Sequence, residues 1–191
     1  MEIALIIIAA ILGLGVLLVL AVLIWGIATY NNLVRLKNLV AEGWSGIDVQ
    51  LKRRSNLIPN IVETVKGYAA QEKDILTEVT QARAGLGKED IGERAGAEKA
   101  LGQSLMKLFA VAEAYPDLKA DQNFRDLQNE LSALEDVIQK SRRYYNGTVR
   151  DFNILIEQFP SSLISRMYNF QQAQFFELEN EEDRSVPKVE F

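Results

Sequence analysis

Apolar residues follow two different patterns along the chain. From Ile3 to Ala28 there are 26 residues without a charge, and 17 of them are Leu, Ile or Val. As a helix this segment is about 39 Å long, whereas the hydrocarbon core of a bilayer is about 30 Å thick. Beyond it, apolar residues recur every three or four positions, which is typical of amphipathic helices. The pattern therefore predicts a transmembrane helix, with the lipid bilayer around residues 3–28, followed by a helical domain.

A cleaved signal peptide is the competing interpretation of the first segment. Gly26-Ile27-Ala28 has the small-x-small form of a cleavage site. However, Glu2 and no Lys or Arg precede the apolar run, and the run exceeds the roughly 7–15 apolar residues of a signal peptide. We therefore expect an uncleaved anchor.

The flanking charges predict the orientation of this anchor. No Lys or Arg precedes it, whereas Arg35 and Lys37 follow within ten residues of its end. Under the positive-inside rule, this predicts a single-pass protein of the cell (inner) membrane with a cytoplasmic C-terminal domain. Large domains can be translocated regardless of charge, so the opposite orientation stays open.

The amphipathic pattern predicts one long helical region from about Asn31 to Ala84, with Pro59 inside it. Proline lacks an N–H and crowds the carbonyl group four residues earlier, here that of Ser55. We therefore expect a kink or short break at 55–58, unless Pro59 is the first residue of a new helix. The apolar stripe consists of Leu33, Leu36, Val40, Trp44, Ile47, Leu51, Ile58, Ile61, Val65, Tyr68, Ile75 and Val79.

Three further helices are predicted, at about 93–115, 121–159 and 163–170. Ser161 and Ser162 are expected to cap the last of them. The helix at 121–159 carries a heptad-like seam, which favours a coiled coil. The seam consists of Phe124, Leu127, Leu131, Leu134, Ile138, Ser141, Tyr145, Thr148, Phe152 and Leu155.

These elements predict an all-α fold, an antiparallel helical bundle of long helices behind an N-terminal transmembrane helix. Its parts are the anchor at 1–29, the bundle at 30–176 and an acidic tail at 177–191. In the tail we expect Pro187, Val189 and Phe191 to fold back onto the bundle. The alternative is a C-terminus that binds a PDZ-like groove of another protein.

Composition excludes several kinds of active site. The chain has no His and no Cys, which excludes His-based triads, Cys nucleophiles, disulfides, thiolate zinc sites and Glu-x-x-His di-iron sites. The spacing of its carboxylates does not indicate a set of metal ligands. The net charge of −5, without a basic stripe, argues against a nucleic-acid partner. We therefore predict no catalytic residue, no metal site and no cofactor.

The candidate interaction surface lies in the first amphipathic helix and consists of Asp48, Lys52, Arg53 and Arg54. Asp48 and Lys52 are four residues apart and can form an ion pair on one helix face. The two arginines are expected to bind an anion or an acidic partner. The alternative is a solvated basic face beside a structural Trp44.

Several motifs resemble the signature of LemA family proteins. The most specific is the stretch from Trp44 to Tyr68, WSGIDVQLKRRSNLIPNIVETVKGY, and further matches are YNNLV at 30–34, YPDLKA at 115–120, RRYYN at 142–146 and PKVEF at 187–191. The chain departs from the family pattern at Gly43, where Ala is usual, and at Gln71, where His is common. The resemblance implies a bacterial or archaeal single-pass membrane protein with a helical-bundle domain. It brings no agreed activity or catalytic residues, only the expectation of a role in envelope maintenance beside a membrane metallopeptidase.

The leading hypothesis is a membrane-tethered bundle that binds an unidentified protein partner and is not an enzyme. The first alternative is a divalent-cation-dependent enzyme at the membrane surface that uses carboxylates with Lys or Arg. The second is an envelope component that acts through self-association as a homo-oligomer.

Overall fold

The structure, a computed structural model, describes residues 1–87 and 90–177, apart from the side chains of Ala4 and Ile8. The described residues form helices and no strand, which confirms the predicted all-α fold. The helices are α1 (Glu2–Tyr68), α2 (Lys73–Ala84), α3 (Ile91–Ala112), α4 (Pro116–Ala120), α5 (Gln122–Glu157) and α6 (Ser161–Met167).

The chain divides into two compact units. The first unit comprises Met1–Glu42 and Gly147–Ala173, and the second comprises Gly43–Asn146 and the described residues from Gln174 onward. Both α1 and α5 contribute to each unit, so these divisions differ from the predicted domains at 1–29, 30–176 and 177–191. The expectations for Pro187, Val189 and Phe191 lie outside the described residues.

The first unit contains the apolar part of α1. Within the described chain, α1 is the one helix long and apolar enough to cross a membrane, by length and composition alone. The described side chains from Ile3 to Ile24 are exposed. Further along, Leu33 is buried together with Val149 and Phe152 of α5.

The second unit contains the main hydrophobic core, to which α1, α2, α3, α4 and α5 all contribute. The burial of Leu131, Leu134 and Ile138 confirms that the predicted seam of α5 faces the interior, whereas coiled-coil pairing stays a prediction. The core consists of Ile58, Ile61, Val65, Ala69, Ile75, Leu76, Val79, Leu86, Leu101, Leu105, Leu108, Ala112, Leu118, Phe124 and Leu131.

The prediction of a short break at 55–58, or of a new helix starting at Pro59, is wrong, because α1 continues through this residue. A kink there stays a prediction. Proline at this position leaves the carbonyl oxygen of Ser55 without its usual helical donor. That oxygen accepts a hydrogen bond from Nε of Arg83 in α2, at 2.9 Å. A side chain of the neighbouring helix therefore replaces the missing backbone donor.

The predicted helix from Asn31 to Ala84 is instead interrupted at residues 69–72, between α1 and α2. Ala69 is fully buried in the core, and the residues around the break are held by side chains from elsewhere. The hydroxyl of Tyr68 donates to Asp121 at 3.0 Å, and that of Tyr115 donates to Glu72 at 2.8 Å. These contacts are distant in sequence, so the local pattern could not reveal the break.

Two helix starts also differ from expectation. α3 begins at Ile91, where the Asp90 carboxylate accepts a hydrogen bond from the backbone N–H of Glu93 and caps the helix. α6 begins at Ser161, and neither Ser161 nor Ser162 caps it by a side-chain hydrogen bond. The Ser161 hydroxyl instead donates to the carbonyl oxygens of Leu155 and Gln158, at 2.7 and 2.9 Å.

An extended segment follows α6, and asparagine side chains hold its backbone. In the first unit, the amide of Asn153 accepts from the N–H and donates to the carbonyl of Ala173, both at 2.9 Å. In the second unit, Asn146 pairs in the same way with Phe176, at 3.0 and 3.2 Å. Each asparagine thus satisfies both polar groups of a residue that belongs to no helix.

Candidate functional site

An ion cluster with two buried members lies in the second unit. Arg54 of α1 is 6% exposed and Glu98 of α3 is 2% exposed. The guanidinium donates to Glu98 and, at 2.7 Å, to Glu135 of α5. Burying a charge is costly unless it is paired and hydrogen-bonded, and here the pairing joins three helices.

Arg94 extends this cluster toward the surface. Its Nη2 lies 3.1 Å from Oδ1 of Asp48, and its Nε lies 3.4 Å from Oε1 of Glu98. Asp48 therefore forms an ion pair with Arg94 of α3. The helical spacing predicts a pair with Lys52 instead. The side chain of Arg94 is 13% exposed, and it lines the adjoining cleft.

A cleft of about 790 Å³ opens beside Arg94. Of the described charged side chains that line it, three are cationic and one is anionic, so these lining residues carry a net positive charge. It is lined by Trp44, Asp48, Lys52 and Ser55 of α1, Arg83 of α2, Leu86 and Gly87 beyond α2, and Arg94 of α3. We refer to this space as the cationic cleft.

Two cations of the cationic cleft differ in how firmly they are held. Arg83 is half-buried, and its Nε is bonded to the Ser55 carbonyl. Lys52 is exposed, and its ammonium forms no ion pair with any residue of 1–87 or 90–177. One cation is therefore pre-positioned, while the other can move to meet a ligand.

Aromatic rings support one side of the cleft. The Trp44 indole is half-buried and lies 5.7 Å from the ring of Tyr145 and 5.6 Å from that of Phe176. Burial raises the pKa of Tyr145, whose hydroxyl donates to the carbonyl of Gln174 at 2.7 Å. Trp44 thus offers a fixed apolar surface beside the cationic side chains.

The four predicted surface residues have different positions. Asp48 and Lys52 line the cationic cleft. Arg54 does not, because it is buried in the ion cluster, so its predicted part in an accessible surface is wrong. Arg53 is exposed, and its interaction with a partner stays a prediction.

Sequence analysis missed Arg83 and Arg94 as members of this site. Neither lies in the motif around Trp44, and both enter the cleft from other helices. Arg94 lies one helical turn after the Asp90 cap, and this position shows only that Arg94 belongs to the first turns of α3. It does not show that Arg94 contacts residues of α1. Their convergence depends on the packing of α2 and α3 against α1.

A second groove of about 430 Å³ has an acidic lining that includes Glu63, Asp126 and Glu130. In the described part of the chain, however, no three carboxylates approach closely enough to hold a metal ion.

The cationic cleft, by contrast, offers cationic side chains and the apolar indole of Trp44. It is therefore suited to electrostatic and apolar binding of an anionic group.

Fold and site together define a class: an α-helical bundle with an apolar N-terminal helix and a cationic cleft. The chain belongs to the LemA family, whose family model matches residues 43–191. Every residue that lines the cleft lies inside this match.

Relatives in three organisms show how far the similarity extends. Protein LemA of Metamycoplasma hominis is 30% identical over 154 residues, covering 78% of this chain and 70% of that protein. Magnetosome protein MamQ 2 of Paramagnetospirillum magneticum is 26% identical, covering 88% of this chain and 72% of its own length. Magnetosome protein MamQ of Magnetospirillum gryphiswaldense is 24% identical, covering 86% of this chain and 71% of its own length.

Proposed function

We propose that this LemA family protein is a membrane-tethered, non-enzymatic helical bundle that binds an acidic segment of a protein partner in the cationic cleft. The observation that carries the proposal is the composition of the cleft. Lys52, Arg83 and Arg94 line the cleft together with Trp44, and Asp48 is the only carboxylate among the lining residues that the structure describes.

The chemistry of the lining suits carboxylates carried on a peptide. Guanidinium groups bind carboxylates through paired hydrogen bonds, and a lysine adds a mobile point charge. The indole of Trp44 can cover the aliphatic part of a Glu or Asp side chain. Because the cleft is open to solvent, salt is expected to weaken the interaction.

The tether in this proposal is the apolar part of α1. Its side chains are exposed along a continuous apolar surface, which is costly in water and favourable in a bilayer. A signal sequence is also apolar, but the uncharged run from Ile3 to Ala28 exceeds the roughly 7–15 apolar residues of a signal peptide, which favours an uncleaved anchor.

We further propose that the protein lies in the inner membrane with its C-terminal domain in the cytoplasm. Arg35 and Lys37 follow the anchor closely, and no Lys or Arg precedes it. Cytoplasmic flanks of transmembrane helices carry an excess of such charges. A cysteine introduced at exposed Lys66 should resist a membrane-impermeant thiol reagent in intact cells, and labelling there would contradict this orientation.

Binding is tested with a fluorescent hexaglutamate peptide and the full chain in lipid nanodiscs. The peptide should bind, and Lys52→Glu should weaken the affinity about tenfold, because changing the attraction of Lys52 into a repulsion costs roughly 1.4 kcal/mol in all. Lys66→Glu is the matched control, since it makes the same charge change on α1 outside the cationic cleft. Equal loss in both variants would show that net charge alone determines binding and would contradict the proposed site.

The partner is tested with a photo-crosslinking amino acid at position 52 or 66 of the full chain in cells. The family resemblance makes a membrane-bound metallopeptidase the first protein to examine. A crosslink from 52 and not from 66 would support the proposed face. Crosslinks from 52 that join only two copies of this chain would favour self-association instead.

A further inference from the structure

The outward face of α6 is apolar, although nothing in the described chain covers it. Leu163 is 56% exposed and Met167 is 71% exposed, and Phe159 just before the helix is 81% exposed. Leu163 and Met167 are four residues apart and therefore lie on one side of α6, while Phe159 adds an exposed apolar side chain just before the helix. A helix at a water-exposed surface has the reverse arrangement, with polar residues outward.

Two serines of α6 face inward. Ser161 and Ser165 are 4% and 1% exposed. The Ser161 hydroxyl donates to the carbonyls of Leu155 and Gln158, and the Ser165 hydroxyl donates to that of Ile156 at 2.8 Å. Carbonyl groups at a helix C-terminus lack intrahelical donors and need other partners. Here serine hydroxyls supply donors at the end of α5, which leaves Leu163 and Met167 on the outer side of α6.

α6 also lies beside the end of the apolar segment of α1. A Cβ atom placed on Gly26 would be 3.8 Å from Cδ1 of Ile164, so this side chain packs on the backbone of α1. Gly26 precedes the end of the apolar run at Ala28 by two residues, or about 3 Å of helix. If the last turn of the apolar segment lies in a bilayer, α6 is therefore close enough to contact the same bilayer.

Aromatic and charged residues of this region match a membrane–water interface. The ring of Tyr30 lies 4.6 Å from that of Tyr168 and 5.9 Å from that of Phe170. Tyr and Trp are enriched at the headgroup level, where one end of the ring is apolar and the other is wet. Arg166 is the only charged residue from Gln158 to Ala173, and it is exposed beside the apolar face. Its long stem can extend along apolar surface while the guanidinium reaches a phosphate.

From these contacts we infer that α6 is a second membrane-contacting element, and that Leu163 and Met167 of its outer side, together with Phe159 before it, lie in the headgroup–acyl boundary of the bilayer. Arg166 contacts lipid phosphate at the same level. This inference rests on the proposed function, because it takes the apolar part of α1 to be inserted in the bilayer. It adds a lipid-binding surface from the C-terminal half of the chain, far in sequence from the anchor.

The absence of cysteine makes the test direct, because each single-cysteine variant carries one label. The full chain is reconstituted in vesicles of phosphatidylcholine and phosphatidylglycerol at 3:1, with an environment-sensitive fluorophore on Leu163→Cys. Leu18→Cys reports the anchor, and exposed Asp126→Cys of α5 reports a position in water. Spin-labelled lipids that quench near the headgroups or deep in the acyl region give the depth of each label. Circular dichroism checks that the three variants keep the same helix content.

We expect the Leu163→Cys label to be quenched by the shallow spin label several-fold more than the Asp126→Cys label, and the Leu18→Cys label to be quenched by the deep one. If Leu18→Cys is quenched but Leu163→Cys behaves like Asp126→Cys, the inference is overturned while the anchor stands. If Leu18→Cys is not quenched, the proposed tether itself fails. A blue-shifted Leu163→Cys emission without lipid quenching would mean that protein covers α6, and would also overturn the inference.

Discussion

Arg53 and Arg54 are adjacent in sequence but differ in their surroundings. Arg54 is 6% exposed and paired with Glu98 and Glu135, whereas Arg53 is exposed. Removing Arg54 would leave the Glu98 carboxylate without one of its two cationic partners in a buried position. Breaking a buried pair from one side typically costs about 3–5 kcal/mol.

We therefore expect Arg54→Ala to lower the free energy of unfolding by about 3–5 kcal/mol, and Arg53→Ala to change it by less than about 0.5 kcal/mol. The measurement is urea unfolding of the detergent-solubilised full chain, followed by tryptophan fluorescence. Comparable effects of the two substitutions would contradict a structural role for the ion cluster.

Asp121 gives a pH-dependent prediction at the same scale. A hydrogen bond from the backbone N–H of Phe124, followed by one from the Tyr68 hydroxyl, holds the pKa of its carboxyl below the ordinary value of 3.8. A lowered folded-state pKa stabilises the fold above the unfolded-state pKa, and this contribution is lost as the pH falls through the folded-state value. The same hydrogen bond to Asp121 raises the pKa of Tyr68.

In Asp121→Asn the amide oxygen can still accept a hydrogen bond, but the group no longer titrates. The free energy of unfolding of the parent should exceed that of the variant by a constant amount between about pH 5 and 7, and the difference should shrink below about pH 4. Unfolding at a series of pH values measures it. A difference that is unchanged at pH 2 would contradict the assigned pKa direction.

At the scale of helices, the continuity of α1 depends on a side-chain donor that replaces a missing backbone donor. Pro59 deprives the Ser55 carbonyl of a backbone donor, and Nε of Arg83 supplies one at 2.9 Å. Because this bond joins α1 to α2, Arg83 both holds two helices together and presents a guanidinium to the cationic cleft. Losing the donor to a half-buried acceptor costs about 1–3 kcal/mol.

A double-mutant cycle tests this replacement. Arg83→Met should lower the free energy of unfolding by about 1–3 kcal/mol in the parent. It should cost less in the Pro59→Ala background, where the N–H of Ala can bond to the Ser55 carbonyl. Equal costs in both backgrounds, measured by thermal or urea unfolding, would show that the Arg83 bond does not replace the missing helical donor.

At the scale of the whole molecule, each compact unit is built from distant chain segments. The second unit includes Gly43–Asn146 and also Gln174 and the described residues after it, which Asn146 holds through the backbone of Phe176. Phe176 in turn packs against Trp44, one of the residues of the cationic cleft. The stability of the cleft is therefore expected to depend on an amide side chain of α5.

Asn146→Asp keeps an acceptor for the Phe176 N–H but removes the donor to its carbonyl. We expect it to cost about 1–3 kcal/mol of unfolding free energy and to change the fluorescence of Trp44, measured in a Trp25→Phe background. Asn56→Asp makes the same charge change at an exposed position of α1 and serves as the control. A fluorescence spectrum unaltered by Asn146→Asp would contradict the link between this asparagine and the cleft.

The sequence alone determined that this protein is helical and where most of its long helical segments lie. The uninterrupted apolar run and the spacing of three and four predicted α1, α3, α5 and the absence of strands, because helix periodicity is a local property of the chain. The motif from Trp44 to Tyr68 was sufficient to suggest the LemA family, which the match over residues 43–191 establishes.

The tertiary structure decided which charges are buried, where α1 ends and which residues form the cleft. Lys52 and Arg54 both belong to the same basic stretch of the sequence. Only Arg54 forms ion pairs with Glu98 and Glu135. Likewise, α1 continues through Pro59 because Arg83 supplies a donor from another helix. These outcomes depend on contacts between residues 28 to 81 positions apart, which the local pattern of polar and apolar positions does not encode.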